Sequence, residues 1–319
     1  MVFHSAGIKI GHATLEKYHT GCTVFLCPPE TVGSVDVRGP APGSRESALL
    51  QLDKPISYLN AVVLTGGSAF GLAAADGVMR YCAEHNIGHQ TPVRPIPIVP
   101  AAVVYDLFMG DGRHLPDADL GYAAAVAATE NNDAQGNIGA GAGVSVGKWA
   151  GFENAMKSGF GTASFEKDGL VVMATAVTNA VGDVVNSDGT VLAGARSDSG
   201  WMADKDPFRH FAARPPVQMT NTTLVVVGTN ARLTKIEANR LAQRAHDGMA
   251  IAIRPIHTTH DGDTAFALAT GKIDAGFDIV ANIAVEMVAE AIRNSVRYAH
   301  TVGGWPGLAG DGTNVRPTI

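Results

Sequence analysis

Short runs of valine and isoleucine alternate with alanine-rich stretches along most of this chain, a pattern typical of an α/β protein. The segment AVVLTGGSAFG (61–71) predicts a buried strand and a glycine turn, and GLAAADGVMRYCAEHN (71–86) predicts the helix that follows. A further helix is predicted over 117–132, where alanines dominate. Two strand-like runs occupy 169–185, with a break near Asn179.

The second half of the chain continues this alternation. TTLVVVGT (222–229) predicts a strand, and Thr234 and Glu237 have the spacing of a capping box at the start of a helix. Residues 251–270 predict two strands joined by a polar loop, and an amphipathic helix is predicted over 278–300. The chain is therefore predicted to be α/β, with a single domain over 1–319.

Two segments lack such periodicity. Residues 197–221 carry charges and prolines, which predicts an exposed connector that can be severed without disturbing the core. Residues 303–319 are rich in glycine and predict a loop-like, disordered tail.

Composition narrows the classes of function. The net charge is −6 and lysines and arginines are not clustered, so we expect no nucleic-acid partner. Cys22, Cys27 and Cys82 form no CxxC motif, which argues against a zinc site or a disulfide framework. The sequence shows no signal peptide and no uncharged apolar run of about 18 residues, so we expect a cytoplasmic protein without a membrane partner.

The dipeptide Asn221–Thr222 is the first candidate for chemistry, because it lies where the proline-bearing connector turns into a strand. A threonine there can attack its own preceding carbonyl, cut the chain and become a new N-terminus. Its hydroxyl is then a nucleophile and its α-amine a base on one residue. The alternative is a turn asparagine followed by β-branched residues that open a strand.

Lys148 ends the glycine-rich segment GNIGAGAGVSVGK (136–148). A phosphate loop requires GxxxxGK followed by serine or threonine, but Ala142 stands at the first glycine position and Trp149 follows the lysine. We therefore reject nucleotide binding. The glycines instead predict a turn that lets Lys148 approach another segment closely, with a solvated surface lysine as the alternative.

HTTHDGD (257–263) places two histidines and two carboxylates within a short polar loop. His257 and His260 are three residues apart, but a loop does not bring that spacing to one side, so a metal site is not expected. We favour Asp261 and Asp263 as charge partners or orienters of a nucleophile. The alternative is an Asp-Gly turn between two strands.

Tyr105 lies just past an apolar run, and Asn179 interrupts two valine-rich runs. A buried tyrosine usually finds a hydrogen-bond partner, and structural packing is the simpler explanation for Tyr105. Asn179 is either a turn residue or an amide aimed at a developing oxyanion.

Six segments, in order, resemble the blocks of the DmpA-like L-aminopeptidase/D-amidase-esterases and of the nylon-oligomer hydrolases in the same superfamily. They are VLTGGSAFGLAAADGVMRY, AVVYD, GAGAGVSVGK, AVTNAVGDVV, TNTTLVVVGTNARL and HTTHDGDTAFALAT. The resemblance implies a four-layer αββα sandwich of the N-terminal-nucleophile type, related to the ornithine acetyltransferases. It also implies a precursor that cleaves itself into an α fragment (1–221) and a β fragment (222–319), and a homo-oligomer such as a tetramer.

The resemblance also implies roles for individual side chains. Asn179 matches the oxyanion-stabilising asparagine, Tyr105 the active-site tyrosine, and Lys148 the active-site lysine of the nylon-hydrolase branch. Asp261 and Asp263 match the DGDT motif of that branch. No cofactor and no metal are implied.

Thr222 matches the family's nucleophile. The aminopeptidase branch cuts a Gly-Ser junction and the ornithine acetyltransferases cut an Ala-Thr junction, whereas here the junction is Asn221–Thr222. This difference favours the nylon-hydrolase branch.

The expected function is hydrolysis of an amide bond in a small molecule or peptide, with 6-aminohexanoate oligomers as the first candidate. An L-aminopeptidase/D-amidase-esterase and an acyltransferase are the alternative enzymes, and an uncleaved scaffold without activity is a third possibility.

Overall fold

A computed structural model describes residues 6–203 and 220–310. Its strands are β1 Lys9–Leu15, β2 Thr20–Leu26, β3 Val32–Val37, β4 Ser44–Arg45, β5 Ala61–Thr65, β6 Ala101–Val103, β7 Ser145–Val146, β8 Met156–Lys157, β9 Phe160–Lys167, β10 Leu170–Asn179, β11 Asp183–Val185, β12 Val191–Ala193, β13 Arg196–Ser197, β14 Gly200–Trp201, β15 Thr222–Ala231, β16 Ile253–Arg254 and β17 Thr264–Ile273. Its α-helices include α1 Ala74–Glu84, α2 Ala118–Val126, α3 Lys235–Ala252 and α4 Phe277–Arg297.

Two five-stranded sheets form the centre of the molecule. The first has the strand order β1-β2-β5-β6-β4, and the second has the order β3-β17-β15-β10-β9. In the second sheet β15 runs parallel to β17 and antiparallel to β10. The start of β15 therefore lies beside the start of β17 and the end of β10.

Three apolar clusters separate four layers. Between the sheets, Leu224 and Val226 of β15 pack with Phe25 of β2 and Leu64 of β5. On the opposite face of β15, Val225 and its alternate neighbours pack against α3 and α4. A third cluster lies between the first sheet and helices α1 and α2. Because side chains alternate across a strand, β15 contributes to two of these cores, and the order of layers is αββα as predicted.

The predicted elements are largely confirmed, and the capping box at the start of α3 is present in full. Thr234 accepts a hydrogen bond from the backbone N–H of Glu237, whose carboxylate accepts one in return from the backbone of Thr234. The helix predicted over 117–132 is shorter and ends at Val126. Thr129 instead exchanges two backbone hydrogen bonds with Ile10 of β1, at 2.9 and 3.0 Å, so a tertiary contact ends the helix.

Part of the predicted C-terminal tail is fixed by backbone hydrogen bonds. Residues 303–310 are loop-like but held in place, since Pro306 accepts a hydrogen bond from the backbone of Lys157 at 2.9 Å and Ala309 donates one to Ala299 at 2.9 Å. Backbone hydrogen bonds therefore fix part of this segment, and 311–319 lie outside the described residues. Most of the predicted connector, 204–219, also lies outside them.

None of the helices in the described part of the chain combines the length and apolar character that crossing a membrane requires.

Candidate active site

The predicted site residues meet at one edge of the second sheet. Asn179 is the last residue of β10 and pairs across the sheet with Thr222, the first residue of β15. Leu224 pairs with Thr264 at the start of β17. The loop that precedes β17 therefore arrives at the same edge, and it carries Asp261 and Asp263.

The Asn221–Thr222 junction is buried, with exposures of 2% and 6%. The Thr222 hydroxyl donates a hydrogen bond to the Asn221 carbonyl oxygen at 2.5 Å. The same carbonyl oxygen accepts the backbone N–H of Gly262 at 2.9 Å. The carbonyl before Thr222 is thus polarised by a backbone donor and lies beside a hydroxyl that can act as a nucleophile.

Gly262 leaves no space for a side chain at this position. A Cβ atom there would lie 2.9 Å from the Thr222 Oγ1 and 2.5 Å from the carbonyl oxygen of Ala41. Ala41 in turn donates its backbone N–H to the carbonyl of Asp261 at 3.1 Å. The segment after β3 is therefore hydrogen-bonded to the loop that carries the Gly262 N–H.

Asn179 is 1% exposed, and both ends of its amide are engaged. Its Nδ2 donates to the carbonyls of Tyr105 and Thr220, each at 3.0 Å. Its Oδ1 accepts the ammonium of Lys148 at 2.7 Å and the backbone N–H of Ser145 at 3.2 Å. Hydrogen bonds therefore fix both the oxygen and the nitrogen of the Asn179 amide, and the nitrogen donates to Thr220, the residue before Asn221.

Lys148 is buried with 1% exposure, so the surface alternative is wrong. Its ammonium also donates to the Asn179 carbonyl at 2.9 Å. The predicted glycine turn places it, because Gly147 adopts a left-handed φ of 76° directly before it. Burial lowers the pKa of Lys148 to about 7, and the charges of Asp261 and Asp263 partly oppose that shift. A lysine with this pKa exchanges protons near neutrality.

The two aspartates of the DGD loop are fully buried. Asp263 Oδ1 accepts the backbone N–H of Thr223 at 2.6 Å, directly after the candidate nucleophile. Asp261 Oδ2 accepts the N–H and the hydroxyl of Thr258, at 2.8 and 2.6 Å. Among the described residues Asp261 Oδ1 has no hydrogen-bond partner. Burial and the neighbouring Asp263 charge raise the pKa of Asp261 above its ordinary value, which favours its protonated form.

Tyr105 reaches this site through its backbone. Its carbonyl accepts the Asn179 amide, while its half-buried ring packs against Phe108 with the ring centroids 5.1 Å apart. Tyr105 therefore contacts Asn179 through its backbone carbonyl and not through its phenol.

Two further residues belong to this site and were not singled out by sequence reasoning. Gly262 supplies a backbone donor, and a glycine between two aspartates is indistinguishable from an ordinary turn residue in the sequence. His257 Nδ1 lies 2.7 Å from Asp263 Oδ2. It was considered only as a metal ligand, and no group of three or more metal-ligating side chains occurs within 6–203 and 220–310.

Comparison with known proteins places the chain among peptidases. The profile of peptidase family S58 matches residues 5–309. An uncharacterised aminopeptidase of Mycobacterium leprae is 41% identical, over 85% of this chain and 78% of that protein. The 6-aminohexanoate-oligomer endohydrolase of Paenarthrobacter ureafaciens is 34% identical, over 85% of this chain and 75% of that protein.

Solved structures confirm the predicted fold. The L-aminopeptidase D-Ala-esterase/amidase of Ochrobactrum anthropi, described as a variant of the Ntn hydrolase fold, superposes with a TM-score of 0.72 at 19% identity. The match covers 94% of this chain and 86% of that one. A β-aminopeptidase of Burkholderia sp. gives a TM-score of 0.70 at 22% identity, over 94% and 88% of the two chains. With its αββα layers and its family match, this chain belongs to peptidase family S58 and is an amide-bond hydrolase.

Proposed function

We propose that the chain is a self-processing amidase that cuts its own Asn221–Thr222 bond and then uses Thr222 as an N-terminal nucleophile. One observation carries this proposal: the Thr222 hydroxyl and the Gly262 N–H meet on the Asn221 carbonyl, at 2.5 and 2.9 Å. A hydroxyl, a carbonyl and an oxyanion donor are three of the groups that an acyl shift requires, and a base is the fourth.

Self-cleavage begins with the transfer of the Thr222 hydroxyl proton to a base. The α-amine cannot serve, because it is still part of the peptide bond, so we assign this step to neutral Lys148. The oxygen then attacks the Asn221 carbonyl carbon, and the oxyanion takes the Gly262 hydrogen bond. When the C–N bond breaks, the Thr222 nitrogen leaves as an amine after accepting a proton. Water hydrolyses the resulting ester, leaving an Asn221 carboxylate and a free Thr222 hydroxyl.

Hydrolysis of a substrate uses the same edge of the sheet with different partners. The freed Thr222 amine becomes available as a base beside its own hydroxyl. Asn179 Nδ2 is occupied by the Thr220 carbonyl in the uncleaved chain, and separation of the fragments allows that carbonyl to leave. The Asn179 amide can then donate to the oxyanion of a bound substrate. Water finally hydrolyses the acyl-enzyme.

Two substrate classes are supported by relatives. The nylon-type relative supports 6-aminohexanoate oligomers or similar amides, whereas the mycobacterial relatives of higher identity are named aminopeptidases. The experiment compares hydrolysis of 6-aminohexanoate oligomers with that of amino-acid anilides, after mass spectrometry of the purified chain under denaturing conditions. Two fragments are expected, one that ends at Asn221 and one that begins at Thr222. A single intact chain in an active preparation would contradict self-cleavage.

The proposal includes a cytoplasmic location and a homotetramer. The three cysteines are buried and unpaired, which suits a reducing compartment, and burial raises the pKa of Cys22 to about 12 and of Cys82 to about 11. Light scattering of the purified protein tests the tetramer, and a mass of one chain in solution would contradict it.

Replacing Gly262 by alanine is expected to slow self-cleavage by about 10- to 100-fold, because the added Cβ displaces the Thr222 hydroxyl or the loop that carries the N–H donor. The measurement is the time course of fragment formation on a denaturing gel. Gly276→Ala is the matched control, since a Cβ at Gly276 meets only Ile279 at an ordinary 3.7 Å. Equal rates for the two variants would show that the space at Gly262 is not required.

A further inference from the structure

His257 makes two hydrogen bonds to one oxygen of Asp263. Its ring Nδ1 lies 2.7 Å from Asp263 Oδ2, and its backbone N–H donates to the same oxygen at 3.2 Å. The carboxylate oxygen can only accept, so the Nδ1 atom carries the proton in this contact. Asp263 is fully buried, and a buried carboxylate is stable only when donors surround it.

The other oxygen of Asp263 is directed at the nucleophile strand. Asp263 Oδ1 accepts the backbone N–H of Thr223 at 2.6 Å. One carboxylate therefore joins His257 on one side to the residue that follows Thr222 on the other. The orientation of this carboxylate is thus linked by a hydrogen bond to the start of β15.

The backbone of His257 adopts a strained conformation that serves this contact. Its φ is +56°, in the left-handed region that residues other than glycine seldom occupy, although asparagine, aspartate and histidine are found there more often than the rest. This conformation brings the backbone N–H and the ring Nδ1 to the same oxygen. Strain of this kind persists where the surrounding structure enforces it, and it clusters at functional sites.

A second histidine ring packs against the ring of His257. His246 of α3 packs against it edge to face, with the ring centroids 4.8 Å apart and an interplanar angle of 66°. His246 donates from Nε2 to the carbonyl of Asp36 at 3.1 Å. Burial lowers the pKa of His246 to about 4, so the His246 ring is neutral near pH 7.

We infer that His257 is a positioning residue: its Nδ1–H orients the Asp263 carboxylate, which sets the position of Thr222 through the backbone of Thr223. The inference rests on the proposed function, because its effect is exerted on the attack by Thr222. His257 acts through Asp263 and not on the substrate.

The test compares three substitutions that differ in where they place a donor. His257→Asn tolerates the left-handed backbone and places its amide nitrogen at the position of Nδ1. His257→Gln carries the same amide one bond further out, at the position of Nε2, and His257→Gly removes the side chain and relieves the strain. Asp168→Gly is the matched control, because Asp168 is also left-handed (φ 51°) but lies in an exposed turn at the far end of β10.

The rate of fragment formation and the kcat and KM of the cleaved enzyme are measured at a temperature where circular dichroism shows each variant folded. His257→Gly and His257→Gln are expected to cleave about 10- to 100-fold more slowly than wild type, with kcat lowered and KM little changed. His257→Asn is expected to restore most of the rate, and Asp168→Gly to behave as wild type.

The outcomes separate this inference from the proposed function. If the wild-type chain stays in one piece, self-cleavage fails, and the inference is overturned together with the proposed function, because there is then no attack by Thr222 for His257 to position. If wild type cleaves and the glycine variant cleaves equally fast, His257 does not position Thr222. If glycine does not fold, the asparagine and glutamine variants decide, and equal rates for those two overturn a role for the Nδ1–H.

Discussion

Replacing Thr222 by alanine is expected to leave one chain of 33.1 kDa and to remove amide hydrolysis. The alanine keeps the start of β15 but has no oxygen to place beside the Asn221 carbonyl, where the hydroxyl now lies at 2.5 Å. Loss of a nucleophile lowers kcat by several orders of magnitude, on the order of 10³ or more. Mass spectrometry under denaturing conditions and an amide-hydrolysis assay measure the two effects.

Thr222→Ser is the control for this substitution. Serine retains the hydroxyl and loses only a methyl group, so the serine variant is expected to cleave itself and to hydrolyse substrate. An alanine variant that still yields two fragments ending at Asn221 would disprove the nucleophile assignment. A serine variant as inert as alanine would show that the methyl group of Thr222, and not only its hydroxyl, is needed for attack.

Replacing Lys148 by methionine is expected to slow self-cleavage by about 10²- to 10⁴-fold, the usual contribution of a general base. Methionine preserves the buried chain length but offers no proton acceptor. Because burial lowers the pKa of Lys148 to about 7, the wild-type cleavage rate is expected to rise with pH through about 7, as the neutral amine forms. Fragment formation followed between about pH 6 and 8 measures both effects. If the wild-type cleavage rate is constant over this range and the methionine variant cleaves as fast as wild type, Lys148 is not the base.

The same pKa affects the free energy of unfolding. Lys148 has a folded pKa of about 7 and an ordinary value of 10.5, so between these values the unfolded chain binds the extra proton. The free energy of unfolding therefore rises with pH across this window, by up to about 1.4 kcal/mol per pH unit for one proton. Lys148→Met is expected to reduce that slope, as measured by urea unfolding at several pH values.

Lys157 is the control for the effect on stability. It is a second buried lysine whose pKa burial lowers to about 7, but it donates to the carbonyls of Gly141 and Val144 at 3.2 and 3.1 Å. Lys157→Met is expected to reduce the same slope while the cleavage rate keeps its rise near pH 7. If the cleavage rate no longer rises near pH 7 in either methionine variant, the titration of Lys148 alone does not explain that rise.

The secondary structure was predictable where the deciding contacts are local. Thr234 and Glu237 of the capping box are three positions apart, and its hydrogen bonds form within one turn of α3. The alternation in 222–229 predicts a strand with two apolar faces, and those faces form two of the three cores. The helix predicted over 117–132 was too long because Thr129 pairs with Ile10, more than a hundred residues earlier.

The candidate site was predictable only in part. Thr222 was identified from its place between a connector and a strand, but an ordinary turn before a strand accounts for the same Asn-Thr sequence. The sequence left a solvated surface position open as the alternative for Lys148, yet this lysine is buried against Asn179, 31 residues away in the chain. No local pattern shows that contact, because it depends on how the glycine turn packs against β10.

The sequence by itself determined the α/β class and the elements that carry the site, because side-chain periodicity and turn chemistry act over a few residues. The family resemblance, and not periodicity, supplied most of the polar candidates for the site. Only the tertiary structure decided which of them meet. The pairing of Asn179 with Thr222, the donation by Gly262 to the Asn221 carbonyl and the support of Asp263 by His257 depend on the register of β10, β15 and the loop before β17. Register between strands is set by the packing of whole layers, and a buried polar group finds its partner only after those layers close.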